Sequence, residues 1–521
     1  MLIESSLILL LLLVVAANIV ITIKKNALAR KWACQPLRSP DKNYLEGLRG
    51  FQELRNARTD QRLVVQFGES MDAVGRNPHT TRRKFLSYPH VMTRDPDIIK
   101  TILSTRSAHW GLDHYRGTLM RSLFGQGVLT AEGQAWKHSR SFVQQQFFQE
   151  SISNLHLFHA HAEAADRKFH IDSDGWTQSL DVLPLFGYLT LDIMTEFLFG
   201  QSVSSQIPSA GPQPGEVGTI LAQDIEGFGT SQDVASHWMY RANYLGRFYR
   251  VLPQRQFKFD RARLRRVVDW YANKAVEGKP EMKDGSGKPN RFVLLDELAK
   301  LTHDKSVLRN ETLNVLAAGR ATSAATLGWL FYFLARNPAV YEKLRSAVLD
   351  DFGTSLDPEH IKPASLRACR YLGRCIDEAL RLGSPLPMTV RKAIQDTTLP
   401  RGGGADGEAP VFIAKGTAVV LNFFLTNRRK DLWGSDAEDF RPERWENHES
   451  NWDFTPFGGG PRACIGQQFA RIQLAYITAF FVQRYDRLEP LDGNCPLRYE
   501  TATTNKPANG VHVRLHEAVM G

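Results

Sequence analysis

The chain has 521 residues, 43% of them hydrophobic and 23% charged, the balance of a core-forming protein, which excludes a disordered or low-complexity one. A net charge of +10 and a pI near 9.3 favour acidic partners such as anionic lipid or an acidic protein; with no nucleic-acid motif or basic–aromatic array beside the charge, nucleic acid is not expected. The five cysteines (Cys34, Cys369, Cys375, Cys464, Cys495) are odd in number and hold no C-x-x-C pair, which argues against a disulfide framework or zinc site and suits a reducing compartment.

The first element is apolar. Leu7 to Ile23 carries no charge and, with the residues before it, approaches the ~20 residues a membrane-spanning helix needs. Lys24, Lys25, Arg30 and Lys31 follow at once, whereas Glu4 alone is charged before it. Residues 1–24 are therefore expected to be an uncleaved anchor with the body on the cytosolic side. A signal peptide would place its basic residues first and a small-residue cleavage site after. Residues 25–45 form a basic, proline-containing linker, and 46–521 are expected to be a single domain.

Phe85–Tyr88 and His90–Thr93 predict a short hairpin, and Arg94-Asp95-Pro96 opens a helix through Leu103. Residues 108–127 are loop-like, with glycines at 111, 117, 125 and 127. Glu132 to Phe148 predicts a helix with Trp136 and Arg140 four apart, on one face. Helical patterns continue to Gln201. Ser202 to Gly218 is an exposed connection, Thr219 to Glu277 is helical again, and Gly278 to Asn290 is another polar loop. No internal repeat is visible, so these loops read as insertions within one folding unit.

A long helix is expected from an N-cap at Asn310 to Arg336, where Asn337-Pro338 ends it, a span of roughly 40 Å. Its faces are almost all apolar or small, the pattern of a buried central helix. Ala318-Gly319-Arg320-Ala321-Thr322-Ser323 lies in its middle, where small residues by themselves would simply permit close packing. Further on, Glu378 and Arg381 share a helix face, a spacing that in isolation is surface decoration. Pro385 to Arg391 predicts an extended segment. Asp396–Gly404, Val411–Ile413 and Thr417–Leu421 predict a small antiparallel sheet, and Thr501–Asn505 a turn before Val511–Val513.

The most specific stretch is Phe457-Gly458-Gly459-Gly460-Pro461-Arg462-Ala463-Cys464-Ile465-Gly466, one cysteine among four glycines just before a helical pattern from Gln467 to Tyr476. A bare glycine-rich turn with an inert cysteine is the plainer alternative. Glycine backbone can approach a ligand closely, and N–H groups at a helix start can stabilise a thiolate. The whole pattern, Phe-x-x-Gly-x-Arg-x-Cys-x-Gly, resembles the haem-binding loop of the cytochromes P450, where the cysteine thiolate is the proximal iron ligand.

That resemblance implies a mainly α fold with two small β-sheets around haem b. Cys464 would ligate iron, with Phe457 and Arg462 beside the cofactor and Trp136, Arg140 and Arg391 at its propionates. Gly319 and Thr322 would occupy the distal turn, the Gly leaving room for oxygen. The residue before the threonine, usually acidic in the family, is Ala321 here. Glu378, Arg381 and Arg444 (in Phe440–Trp445) would form a buried charge network, and Leu386, Met388 and Val390 would line the substrate pocket together with the 501–505 turn.

The implied function is a membrane-anchored monooxygenase, single-pass in the endoplasmic reticulum, using O2 and NADPH-derived electrons. These would come from a separate NADPH–cytochrome P450 reductase, with or without cytochrome b5. Asp396–Gly404 (DTTLPRGGG) and Thr426–Asp431 (TNRRKD) resemble the fungal alkane and fatty-acid hydroxylase group, which implies a long-chain, membrane-partitioned substrate. The alternatives are a terpenoid or polyketide oxidase of secondary metabolism, and a haem-thiolate isomerase, dehydratase or peroxygenase independent of external electrons, which Ala321 would favour. A non-catalytic haem sensor is a third, and the retained Thr322 and Trp136 count against it.

Overall fold

A computed structural model describes residues 13, 16, 19–20, 22–39, 44–75, 79–85, 88–147, 154–207, 218–278, 292–355, 357–449, 451–493 and 495–519. They fall into two compact units. The first comprises residues up to 113 with 388–426 and 451–463, and the second comprises 114–387, 427–450 and 464 onward.

The first unit is organised on a five-stranded sheet in the order Thr80–Phe85, Tyr88–Thr93, Ala418–Asn422, Met388–Ala393, Trp110–Leu112. The first pair is an antiparallel hairpin, Thr80 opposite Thr93, so its first strand begins earlier than the expected Phe85. Polar, basic residues (TTRRK) hid that strand. Its inner face is nonetheless closed, with Thr81 and Arg83 buried and Arg83 donating to Ser70 Oγ at 2.7 Å. Asp95 caps the next helix as expected, accepting from Asp97 N at 3.0 Å and Ile98 N at 3.1 Å.

Residues 418–422 do not join the expected small sheet. They run between two strands of the large one, parallel to Tyr88–Thr93 and antiparallel to Met388–Ala393. Val419 and Leu421 are fully buried, the reason this strand reads as continuously apolar. Thr397–Gly403 pairs with Ala409–Ile413 and, through a single bridge at Gly403, with Leu37.

The second unit is built around the helix Lys305–Arg336. Its N-cap is Asp304, which accepts from Ser306 N at 2.8 Å and Val307 N at 3.3 Å, so Asn310 lies inside the helix and not at its start. Trp329, Leu327, Leu330 and Leu334 are wholly buried in its C-terminal half. Across it packs Val182–Phe199, the one described helix long and apolar enough to cross a membrane. That helix is 72% buried in protein, with Leu189 and Leu198 at zero exposure, so it is core.

The expected helical stretch 219–277 resolves into Thr219–Glu226, Phe228–Leu245 and Arg255–Val276, broken at Gly227 and at Gly246, whose φ is +53°. A three-stranded sheet (Leu180–Asp181, His512–Glu517, Tyr485–Pro490) and the hairpin Tyr499–Thr501/Asn505–Pro507 complete the unit. The fold is thus mainly helical with small sheets, four of them among the described residues rather than two.

Of the expected anchor, Leu13, Ile19, Val20 and Ile23 are helical and each more than half exposed; most of its other residues lie outside the described set.

Candidate functional site

In the second unit Cys464 precedes the 18-residue helix Gln467–Arg484, with Gly466 as its N-cap. The thiol carries open surface, yet surrounding protein pushes its pKa up by desolvation. The Gly466 N–H and the Arg140 guanidinium act against that burial without overcoming it. The sequence pattern suggested several N–H groups holding a ready thiolate. The structure supplies one N–H and one cation, so a metal cation held by Cys464 would supply the remaining charge that favours the thiolate.

Arg140 is half-buried on the helix Gly133–Gln144, which ends short of the expected Phe148. Burial lowers its pKa, and the nearby sulfur opposes this. Trp136 and Arg140, one turn apart, line an open depression on this helix with Lys137, Ser141, Gln144 and Gln145. The opposite side of the same helix is fixed by a residue that sequence reasoning missed. Ser139 donates to Glu311 of the long helix, whose other oxygen accepts from Val128 N at 3.0 Å. Asn314, one turn on, accepts from Leu129 N at 3.0 Å and donates to Phe124 O at 3.1 Å. Glu311 is 3% exposed, and desolvation raises its pKa to about 7 against the pull of those two hydrogen bonds. Its nearness in sequence to a plausible helix start made it look like a first-turn acid; only the tertiary contacts reveal a strut.

The middle of the long helix opens. Residues on both sides are buried, but Ala318 is exposed and Ala317, Gly319, Ala321 and Thr322 are partly so. Thr322 is the one hydroxyl in this window. It donates to Ala318 O at 2.7 Å, which leaves its lone pairs free to accept. Gly319 is placed differently from the expectation. A Cβ there would lie 2.6 Å from Met194 Sδ and Cε, so the glycine serves close packing with Val182–Phe199. Arg320 turns to the helix Phe228–Leu245. It is 7% exposed and donates to both Asp233 oxygens (2.8 and 2.9 Å), Gln232 Oε1 (3.1 Å) and Gly229 O (3.3 Å).

Glu378, Arg381 and Arg444 meet in the same unit. Arg381 forks onto the carboxylate (Nε 2.9 Å, Nη2 2.8 Å), and Arg444 Nε reaches it at 2.9 Å. Trp445 Nε1 and Arg441 N, which the sequence did not suggest, each donate to it at 3.0 Å. Arg381 spends its remaining donors on the carbonyls of Asn427, Ala437 and Asp439. Glu378 and Arg381 are fully buried; burial lowers the arginine's pKa and Glu378 opposes this. The helix that follows Cys464 is tied to the Glu378 helix by Arg471, which donates to Asp377 at 2.7 Å. Leu386, just beyond the Glu378 helix, is 45% exposed.

The first unit holds the other expected residues. Met388 and Val390 are partly buried on the strand Met388–Ala393; Arg391 is 7% exposed and donates to Thr389 Oγ1 (3.1 Å) and Val390 O (3.0 Å). Phe457 and Arg462 are partly buried in the glycine loop. Gly460 has φ +65°, and a Cβ there would stand 1.9 Å from Leu103 O, so no other residue fits.

Within the second unit, the exposed Cys464 with a cation beside it and a small-residue window bearing one hydroxyl fit a haem better than a hydrolytic site. Among the described residues no group of histidines, cysteines and carboxylates could hold a metal by itself.

Comparison with known proteins agrees. The family model for Cytochrome P450 matches residues 66–512. Cytochrome P450 monooxygenase g430 of Fusarium sp is 36% identical over 96% of this chain and 87% of its own length. Cytochrome P450 52-M1 of Starmerella bombicola is 34% identical over 93% and 92%, and Cytochrome P450 52A1 of Candida tropicalis 36% over 83% and 79%.

Proposed function

The chain belongs to the cytochrome P450 family and is a monooxygenase of it, and on that premise we propose that it hydroxylates a long-chain fatty acid or alkane drawn from a membrane. The carrying observation is the mid-helix window, lined by Ala317, Ala318 and Ala321 with Thr322 as its one hydroxyl. Such a surface suits an unfunctionalised hydrocarbon chain, which offers nothing to hydrogen-bond. Likeness to the Cytochrome P450 52 relatives supports the same substrate class.

Haem, when bound, supplies the oxygen chemistry; the protein supplies ligation, orientation and protons. In this reading Cys464 would hold the iron, and Arg140, Trp136, Arg391 and Arg462 would hold the anionic edge of the porphyrin. Glu378, Arg381 and Arg444 keep the cysteine's scaffold in place. Thr322, with water, holds and passes the proton that an acid at 321 would otherwise deliver. Electrons come from a redox partner, proposed as NADPH–cytochrome P450 reductase, with cytochrome b5 as an accessory donor. The exposed, helical Leu13, Ile19, Val20 and Ile23 and the basic residues after them support a single-pass anchor in the endoplasmic reticulum, with the body cytosolic and residues 46–521 acting as one catalytic domain.

The test is turnover of the full chain with reductase, NADPH and either hexadecanoate or hexadecane, scoring product and peroxide against NADPH consumed. Terminally oxygenated product coupled to NADPH is expected. Product from terpenoids alone would overturn the substrate class, and product formed without electrons would overturn the monooxygenase mechanism for this chain.

A further inference from the structure

Asn505 is a fully buried polar residue whose every hydrogen-bonding group is used on a different neighbour. Its backbone N–H donates to Pro385 O at 2.9 Å, and its side-chain amide to Gly383 O at 2.7 Å. Its backbone carbonyl accepts from Trp329 Nε1 of the long helix at 2.8 Å, and its Oδ1 from Thr501 Oγ1 at 3.1 Å. One residue thus splices the long helix, the segment leading to Leu386 and the turn 501–504, all within the second unit. The junction has no slack. Trp329 has no exposed surface, and a Cβ on Gly383 would lie 2.3 Å from its indole.

The parts held this way share one property: each is under-used by the protein. Leu386 keeps 45% of its surface between two buried prolines, 385 and 387. The 501–504 turn closes on itself through Ala502 N to Thr504 O at 3.0 Å, and its Thr503 hydroxyl is buried without a hydrogen-bond partner among the described residues. An exposed leucine and an unsatisfied hydroxyl, on two segments tied to one saturated anchor, offer a ligand one apolar and one polar contact. A buried hydroxyl left unpaired is costly, which points to a bound molecule as its partner.

We infer that Asn505 is a specificity-determining positioning residue. It sets the spacing of Leu386 and the 501–504 turn, and so how far along its length a hydrophobic chain is held. This rests on the reading of the substrate as an extended hydrocarbon chain, but its test need not involve oxidation.

The probes are N-alkylimidazoles of increasing chain length, added to the full-length, haem-loaded protein. The imidazole binds iron and the alkyl tail samples the pocket, with affinity read from the haem spectrum. In the wild type, affinity should peak at a particular length. In Asn505→Ala, haem content and the reduced–CO spectrum should stay as in the wild type, while relative affinities across the series change by roughly five- to tenfold, as expected for lost hydrogen bonds at one anchor. Thr501→Val removes only the hydroxyl donor to Asn505 and should move the preference the same way by a smaller factor. It decides the matter if Asn505→Ala does not accumulate with haem. An unchanged length profile in the loaded variant, or an equal loss at every length, would overturn the inference. A parallel assay of wild-type hexadecanoate turnover separates the two failures, since absence of product sinks the proposed substrate and leaves the imidazole series to judge Asn505.

Discussion

Replacing Glu378 with glutamine keeps the side chain's shape and removes its charge, so the outcome depends almost wholly on electrostatics. The carboxylate receives five donors: Arg381 Nε and Nη2, Arg444 Nε, Trp445 Nε1 and Arg441 N. An amide retains one acceptor oxygen and turns two hydrogens toward groups that can only donate. Arg381, its side chain 0% exposed, would then lack its counter-charge, and Arg444, 5% exposed, would keep only Asp436 at 3.2 Å. Breaking a buried pair this way costs about 3–5 kcal/mol, a large share of the ~5–15 kcal/mol that holds a typical fold. The loss would spread to the cysteine, because Asp377 beside Glu378 holds Arg471 on the helix that Cys464 precedes. Glu378→Gln should therefore express with little haem and unfold at much lower urea. Lys300→Gln, which breaks an exposed pair with Glu297 (side chains 65% and 31% exposed), should shift stability by less than about 1 kcal/mol. Haem per protein and urea midpoints decide it. If Glu378→Gln retained full haem and matched Lys300→Gln, the network would not hold the fold as reasoned.

Glu311 gives a pH prediction. Its folded pKa, about 7, lies above the ordinary 4.5, so between these values the folded state keeps a proton that the unfolded chain releases. Stability should fall as pH rises through that window, by roughly 3 kcal/mol in all, with no contribution to the slope outside it. Glu311→Gln, whose amide can still serve Ser139 and Val128, should flatten that slope and be the more stable protein above pH ~7 in urea titrations. Gly319→Ala should cost about 1–3 kcal/mol by driving a methyl into Met194, and Met194→Ala in the same chain should recover part of that; strict additivity would refute the packing role. Asp233→Asn should cost under about 1 kcal/mol because Asp233 is 67% exposed. Arg320→Ala should cost more, about 1–3 kcal/mol, since Gly229 O and Gln232 lose a buried donor. The reverse order in urea melts would show that Arg320 is not the clamp.

What was legible in the sequence was whatever local chemistry dictates. Asp95-Pro96 specified a capped helix start, Asn337-Pro338 a helix end, and the glycine loop a backbone open to close approach, which the structure shows to be from Leu103. The joining of Glu378 and Arg381 with Arg444 came only from the family resemblance, since nothing local distinguishes that pair from a surface one. Residues whose meaning lies in a distant contact stayed hidden. Glu311 resembled a first-turn acid because Asn310 looked like a cap, whereas Asp304 had the better-placed partners in Ser306 and Val307. Asn505 resembled a turn residue until Trp329, Gly383 and Pro385 came to it from up to 176 positions away. The strand Thr80–Phe85 was masked by its own charges, and Ala418–Asn422 joined the large sheet because a strand with Val419, Val420 and Leu421 buried needs neighbours on both edges.

Ala321 ties these observations to the chemistry. In the open window of the long helix the protein provides one titration-silent hydroxyl and no carboxylate, and that hydroxyl is a donor to Ala318 O. As placed, Thr322 can accept a proton-bearing group but cannot donate one without giving up its backbone bond. A donor must then arrive with water, or the hydroxyl must turn. Ala321→Asp would supply a second acid–base group one residue away, on a helix position that is only partly buried and so able to carry charge. If protons limit the reaction, this variant should form more product and less peroxide per NADPH, and Thr322→Ala should do the reverse. Equal coupling in all three proteins would mean that protons reach the site by a path that uses neither residue, and the alanine would be a packing choice like Gly319.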